Sequence, residues 1–224
     1  DVYWYDPELR GQLSITHIHV PKRLKKTIRQ NPYEIGFNYD FSGVISGCAQ
    51  SMPGREETWI NASIRECFEA LHRAGYAHSA EAWHRGELVG GVYGLAINGA
   101  FFGESMFSTE TDASKICLVH LCAHLKKQGF VLFDTQFVNQ HLKQFGVYEL
   151  PRKDYLQKLE KALNVKVCFV PDDQSSMTSS DTSSVSALSL SDVSSDASSF
   201  DSSVSFSSSL DTVEELLQSI TQTS

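Results

Sequence analysis

No apolar stretch in this 224-residue chain approaches the ~18 residues that a membrane-spanning helix needs. No membrane association is therefore expected. No CxxC pair occurs among the five cysteines, Cys48, Cys67, Cys117, Cys122 and Cys168. Neither a zinc ribbon nor a disulfide framework is expected, and a reducing, cytoplasmic setting fits best. No charged-then-apolar leader is visible, so no signal peptide is expected. The chain starts at Asp1 rather than Met, which suggests a truncated or processed N-terminus. No lysine or arginine follows Lys166, whereas nine acidic residues do. Residues 1–166 thus carry 19 basic and 18 acidic side chains, although the whole chain has a formal charge of -8. The acidity belongs to the tail, and a nucleic-acid partner for the front is not excluded by charge.

What is present divides near Asp172. Residues 175–209 are more than half serine, with scattered aspartates and few large apolar groups. Burial in such a segment does not offset ordering entropy, so 172–210 is expected to be disordered. Beyond it, Thr212 and Glu215 have capping-box spacing. Val213, Leu216, Leu217 and Ile220 follow helical periodicity, which predicts a short terminal helix over 211–224. Before the tail, residues 1–171 read as one domain of the α+β (mixed α/β) class. Helices are expected over 22–30, 40–50, 60–74, 112–128 and 151–163, with a shorter one ending at Phe145. Extended segments are expected over 33–39, 76–83, 87–97, 100–107, 130–133 and 147–150. The junctions Arg85-Gly86 and Asn98-Gly99 are hairpin turns, and the second carries the type I′ signature.

The order of antiparallel meander, helix, strand, helix, strand resembles the GNAT acyltransferase fold. The glycine-rich turn that would hold the pyrophosphate of coenzyme A is absent. Between Phe107 and Ala113 the chain has Ser-Thr-Glu-Thr-Asp, whose two acids repel phosphate. A CoA-dependent N-acetyltransferase is therefore the weaker of two enzymatic readings.

Nine segments in register carry a closer resemblance. They are 4–10 (WYDPELR), 57–60 (ETWI), 71–83 (LHRAGYAHSAEAW), 87–94 (ELVGGVYG), 101–108 (FFGESMFS), 112–115 (DASK), 134–136 (DTQ), 141–142 (HL) and 149–152 (ELPR). Over roughly residues 2–165 the chain resembles the leucyl/phenylalanyl-tRNA–protein transferases. The resemblance implies transfer of Leu, Phe or Met from aminoacyl-tRNA to a protein beginning with Arg or Lys. The product is a signal for N-degron-dependent degradation. It also implies no cofactor, and a monomer is expected. The segment that precedes this region in most members is missing. Asp112 stands where Asn is commoner, Thr135 where Cys is common, and Leu121 where many members have Phe. The rival from another class is a non-catalytic tRNA- or N-degron-binding module.

The reaction sets its own requirements. An amine attacking an activated ester needs placement, a lost proton and a stabilised oxyanion, but no covalent enzyme intermediate. Asp134 and Gln136 follow the apolar run Phe130–Phe133, and strand periodicity points them to one side. From spacing alone they serve equally as a turn cap and a surface polar group. The resemblance makes them the catalytic pair and gives Asp134, with Glu104, to acceptor binding. Glu104 interrupts an apolar strand, so it faces either an internal cation or a cleft. Trp59, Val92, Phe101, Met106 and Leu121 match the aminoacyl-adenosine site, although for the apolar four ordinary core is the plainer reading. Lys22, Lys26 and Arg29 form one helical stripe, with Leu24 and Ile28 on another face. The stripe is a solvated face or, by the resemblance, a tRNA contact. Cys117, His120 and His124 share a face, but the HLCAH stretch lacks the Glu of a zinc-binding HExxH, so no metal is expected. His78 and Glu81 are read as structural.

Overall fold

The computed structural model describes residues 6–50, 58–170 and 213–218. Its centre is a mixed seven-stranded sheet in the order β2-β3-β4-β5-β6-β1-β7. The strands are β1 (Leu9–Leu13), β2 (Glu34–Phe37), β3 (Ala77–His84), β4 (Glu87–Ile97), β5 (Ala100–Ser108), β6 (Leu132–Gln136) and β7 (Tyr148–Pro151). Every neighbouring pair is antiparallel except β5 and β6. Parallel neighbours need a crossover, and helix α4 (Ala113–Gln128) supplies it. This helix is buried over most of its surface, because the sheet covers one side and other segments cover much of the rest. Helices α1 (Lys22–Arg29), α2 (Phe41–Ala49), α3 (Ala62–Arg73), α5 (Gln140–Lys143) and α6 (Arg152–Leu163) complete the domain.

Among the described residues, three core clusters form around the sheet, the smallest holding Ala100, Leu132, Tyr155 and Ala162. One gathers α1, α4 and inward residues such as Val92, Phe101 and Phe133. Another gathers Phe41, Val44 and Ile45 of α2 with Tyr93 and Phe107. Gly90 and Gly91 let helices approach β4 closely. A Cβ at Gly90 would meet Ala113 Cβ at 2.6 Å, and one at Gly91 would meet Val44 Cγ2 at 2.9 Å.

Two local expectations are corrected. Strand β1 lies between β6 and β7, where the sequence suggested no element. The type I′ turn is at Arg85-Gly86, with φ of 53° and 81°. At the other hairpin only Asn98 has positive φ, 50°, and Gly99 lies outside the left-handed region. The end of α6 determines that turn. Asn98 Nδ2 donates to Leu163 O at 2.6 Å, and Gly99 N donates to Ala162 O at 3.0 Å.

The chain's last described segment is a six-residue helix, α7 (213–218). Val213, Leu216 and Leu217 are buried in the α1/α4 core. Thr212, Ile220 and the disorder expected over 172–210 lie outside the described residues. No described helix is long and apolar enough to cross a membrane.

Candidate active site

Strands β5 and β6 pair over only three positions, ending at Phe102↔Asp134. Past that point they flank a cavity of about 220 Å³ lined by Val92, Gly103, Glu104, Ser105, Met106, Leu118, Phe133, Thr135, Asn139 and Leu142. Ligand sites commonly form outside the carboxyl ends of parallel strands in this way.

Two bulges shape the opening. On β5, Ser105 pairs with Tyr93 and Gly103 with Gly94, so Glu104 has no opposite residue. On β6, Asp134 pairs with Gln12 and Gln136 with Gly11, so Thr135 is the extra residue. A bulge reverses side-chain alternation along the strand. That reversal puts Phe101 and Met106, five residues apart, against the same core. Both bulge residues line the cavity.

Asp134 is completely buried. Arg10 Nε donates to its two carboxylate oxygens at 3.1 and 2.9 Å. Tyr155 Oη donates to Oδ2 at 2.7 Å, and Gln136 N donates to Oδ1 at 2.7 Å. Gln136 has φ 62° and is the middle of a tight turn in which Phe137 N donates to Thr135 O at 2.7 Å. A non-glycine residue in this rare conformation costs of the order of 1–3 kcal/mol. The Asp134 carboxylate holds the turn from below. The Gln136 side chain reaches across the split, and its Nε2 donates to Glu104 Oε2 at 3.1 Å and to Gly103 O at 3.3 Å. Asp134 and Gln136 therefore do not present their head groups side by side, as unbroken strand alternation predicted. The Thr135 bulge and the left-handed turn redirect them.

Burial pushes the Glu104 carboxyl above the ordinary carboxylate range. The Asp134 charge adds to that rise, and the Gln136 hydrogen bond and Arg10 oppose it. Burial and the Asp134 hydrogen bond likewise push the Tyr155 hydroxyl far up, so it remains a donor.

Of the residues matched to an aminoacyl pocket, Val92 and Met106 line the cavity. Phe101 and Leu121 are buried in the adjoining core and are not among the lining residues. Trp59 is 52% exposed and lies just before the Asn61 cap of α3, outside the cavity lining. Lys22, Lys26 and Arg29 are exposed on α1, while Leu24 and Ile28 are buried. Arg29 Nε lies 3.5 Å from Glu214 Oε1 of α7. His124 Nε2 donates to Phe169 O at 2.7 Å. Glu81, also completely buried, accepts from Ser79 Oγ, Tyr39 N and Asp40 N and so clamps the loop between β2 and α2.

Sequence reasoning missed Arg10, Tyr155 and the lining residues Leu118, Phe133, Asn139 and Leu142. Asn139 carries no local pattern that marks it, and Arg10 and Leu142 lie in segments 4–10 and 141–142, which carried the resemblance without a role for either residue. A buried aspartate does signal that a cation must reach it, without saying from where.

Comparison with known proteins fits this arrangement. A family profile described as leucyl/phenylalanyl-tRNA protein transferase matches residues 12–160. A leucyl/phenylalanyl-tRNA–protein transferase of Maricaulis maris (strain MCS10) is 49% identical over 174 residues, which is 77% of this chain and 81% of that relative. The profile takes in both bulges, the Gln136 turn, the cavity and Tyr155. With most of the domain and all of the cavity inside the match, the chain belongs to the leucyl/phenylalanyl-tRNA protein transferase family and is an aminoacyltransferase that uses aminoacyl-tRNA and protein.

Proposed function

We propose that the chain transfers Leu, Phe or Met from aminoacyl-tRNA to the N-terminal Arg or Lys of acceptor proteins. The new peptide bond marks the product for N-degron-dependent degradation. The observation that carries this reading is a carboxylate, Glu104, set in a cavity whose other lining includes Val92, Met106, Leu118, Phe133 and Leu142. The apolar lining suits the donor side chain, and the acid suits a cationic acceptor. Asp134 and Gln136 organise the catalytic centre, and Glu104, with Asp134 behind it, receives the acceptor. Val92 and Met106 contact the aminoacyl group, with Phe101 and Leu121 packed behind the cavity and Trp59 available to stack on the terminal adenosine. Lys22, Lys26 and Arg29 meet tRNA phosphates. The domain is GNAT-like, its acyl donor is tRNA rather than coenzyme A, and it acts as a cytoplasmic monomer without cofactor or metal.

The test is transfer of radiolabelled Leu from charged tRNA to peptides that differ only in their first residue. Arg- and Lys-initiated peptides should outcompete Asp- and Glu-initiated ones. The reverse preference would remove Glu104 from acceptor recognition. Acetylation from acetyl-CoA, with no transfer from tRNA, would overturn the whole reading.

A further inference from the structure

We propose that Glu104 takes the proton from the incoming amine, and that Arg10 and Tyr155 are positioning residues that hold Asp134 as a fixed anchor beneath the Gln136 turn. This assignment rests on the aminoacyl-transfer reading above. An ionised carboxylate offers about four lone-pair sites. In Asp134 they are occupied by Arg10 on both oxygens, by Tyr155 Oη and by Gln136 N. The side chain has no solvent exposure and is not part of the cavity lining. A proton arriving there would displace one of these donors and leave Arg10 facing a neutral partner. Such a group suits anchoring better than proton transfer.

Glu104 differs in each respect. It lines the cavity, and among the described residues it accepts one hydrogen bond, from Gln136 Nε2 onto Oε2. Its bulge position frees it from strand alternation and directs it to the opening. Among the described residues, the charged or titratable groups facing it are Asp134 on β6, Arg10 on β1 and Tyr93 on β4. Burial raises its affinity for protons, which brings it closer to the acceptor amine's reference pKa of ~7.7–8.0.

The proton balance then closes. Glu104 takes one proton from the acceptor ammonium. The neutral nitrogen attacks the ester carbonyl carbon, and the carbon–oxygen bond to the ribose breaks. Glu104 returns its proton to the leaving ribose oxygen and receives the second proton shed by nitrogen. That proton passes to water when the amide product leaves, and Glu104 is again a carboxylate.

The experiment measures kcat/KM against pH for transfer to an Arg-initiated peptide, using the full chain. The wild type should rise along an acid limb from Glu104 and then level off. Glu104→Gln should lose activity by about 100-fold or more and have its acid limb displaced upward to the titration of the acceptor amine, while still melting cooperatively. Tyr155→Phe should lower kcat by about tenfold and leave the limb where it was, because the proton acceptor is intact. An acid limb kept at the wild-type position in Glu104→Gln would overturn the proposal, as would its selective loss in Asp134→Asn. A wild-type chain that transfers nothing from tRNA would instead overturn the reading on which the proposal rests.

Discussion

At the scale of single residues, buried polar groups in this domain are held in one protonation state by their partners. His78 shows this with a measurable consequence. Its Nδ1 accepts from Asn38 Nδ2 at 3.1 Å, and its Nε2 donates to Gly75 O at 3.1 Å. Asn38 Oδ1 accepts from Ser79 N, which fixes the orientation of the amide. A proton on Nδ1 would point at another donor. The ring is also stacked on Phe169 at 4.2 Å. Burial lowers its pKa from 6.5 to about 4. The unfolded chain therefore binds this proton first. Stability from this group is full above pH 6.5 and falls as the pH drops toward 4, by about 3 kcal/mol in all. Burial lowers His124 in the same direction. Glu81 and Glu104, raised by burial, act oppositely, so bulk stability alone does not isolate His78. Its ring resonances in an NMR titration should stay those of a neutral imidazole down to about pH 4. A midpoint near 6.5 would remove this contribution. The same residue-scale view shows why Asp134 stood out in the sequence and Arg10 did not. A carboxylate after an apolar run stands out locally, whereas the cation that neutralises it arrives from 124 positions away.

At the scale of elements, the helices were the most legible part of the fold. Leu24 and Ile28, four apart, gave away the buried side of α1, and Gly129 with φ 85° ends α4 where the sequence suggested. Strand β1 was not legible, because Leu-Arg-Gly-Gln-Leu has neither β-branched residues nor clean alternation. It is a strand because β6 and β7 pair with it. The two bulges were hidden for the same reason: one extra residue is defined only against a partner strand. Helix α1 carries the element-scale prediction. Changing Lys22, Lys26 and Arg29 together to Ala should leave the fold intact, because all three are exposed. It should weaken charged-tRNA binding equally for Leu and Phe tRNAs, since phosphate contacts carry no base information. If each residue meets one phosphate, the slope of log affinity against log salt should fall by about two to three units. Filter binding across a salt series checks this, and an unchanged slope would make the stripe a solvated face.

At the scale of the whole molecule, the end of the chain returns to its beginning. Helix α7 buries Val213, Leu216 and Leu217 in the core that also holds Leu24 and Ile28 of α1, and Glu214 approaches Arg29. Burying three such side chains yields ~1.5–3 kcal/mol each, whereas ordering six residues costs ~1–2 kcal/mol each. The two sums overlap, so the net free energy that holds α7 is small, at most about 3 kcal/mol. A weakly docked segment also limits what its own substitutions can cost. Leu216→Ala in a closed core would cost ~2–5 kcal/mol, but here α7 can release instead. Leu216→Ala and deletion of residues 211–224 should therefore lower the melting temperature by similar amounts, about 2–8 °C. The Arg29–Glu214 contact is partly exposed and adds little to this stability. On the proposed tRNA contact, Glu214 would compete with phosphate for Arg29. Release of α7 should raise tRNA affinity slightly at low salt and leave it unchanged at high salt, where screening removes the competition. Thermal melts and tRNA titrations of the full-length, Leu216→Ala and truncated chains test both halves. Loss of cooperative melting on truncation would make α7 an integral part of the core, and a fall in low-salt tRNA affinity would make it a binding element instead of a competitor.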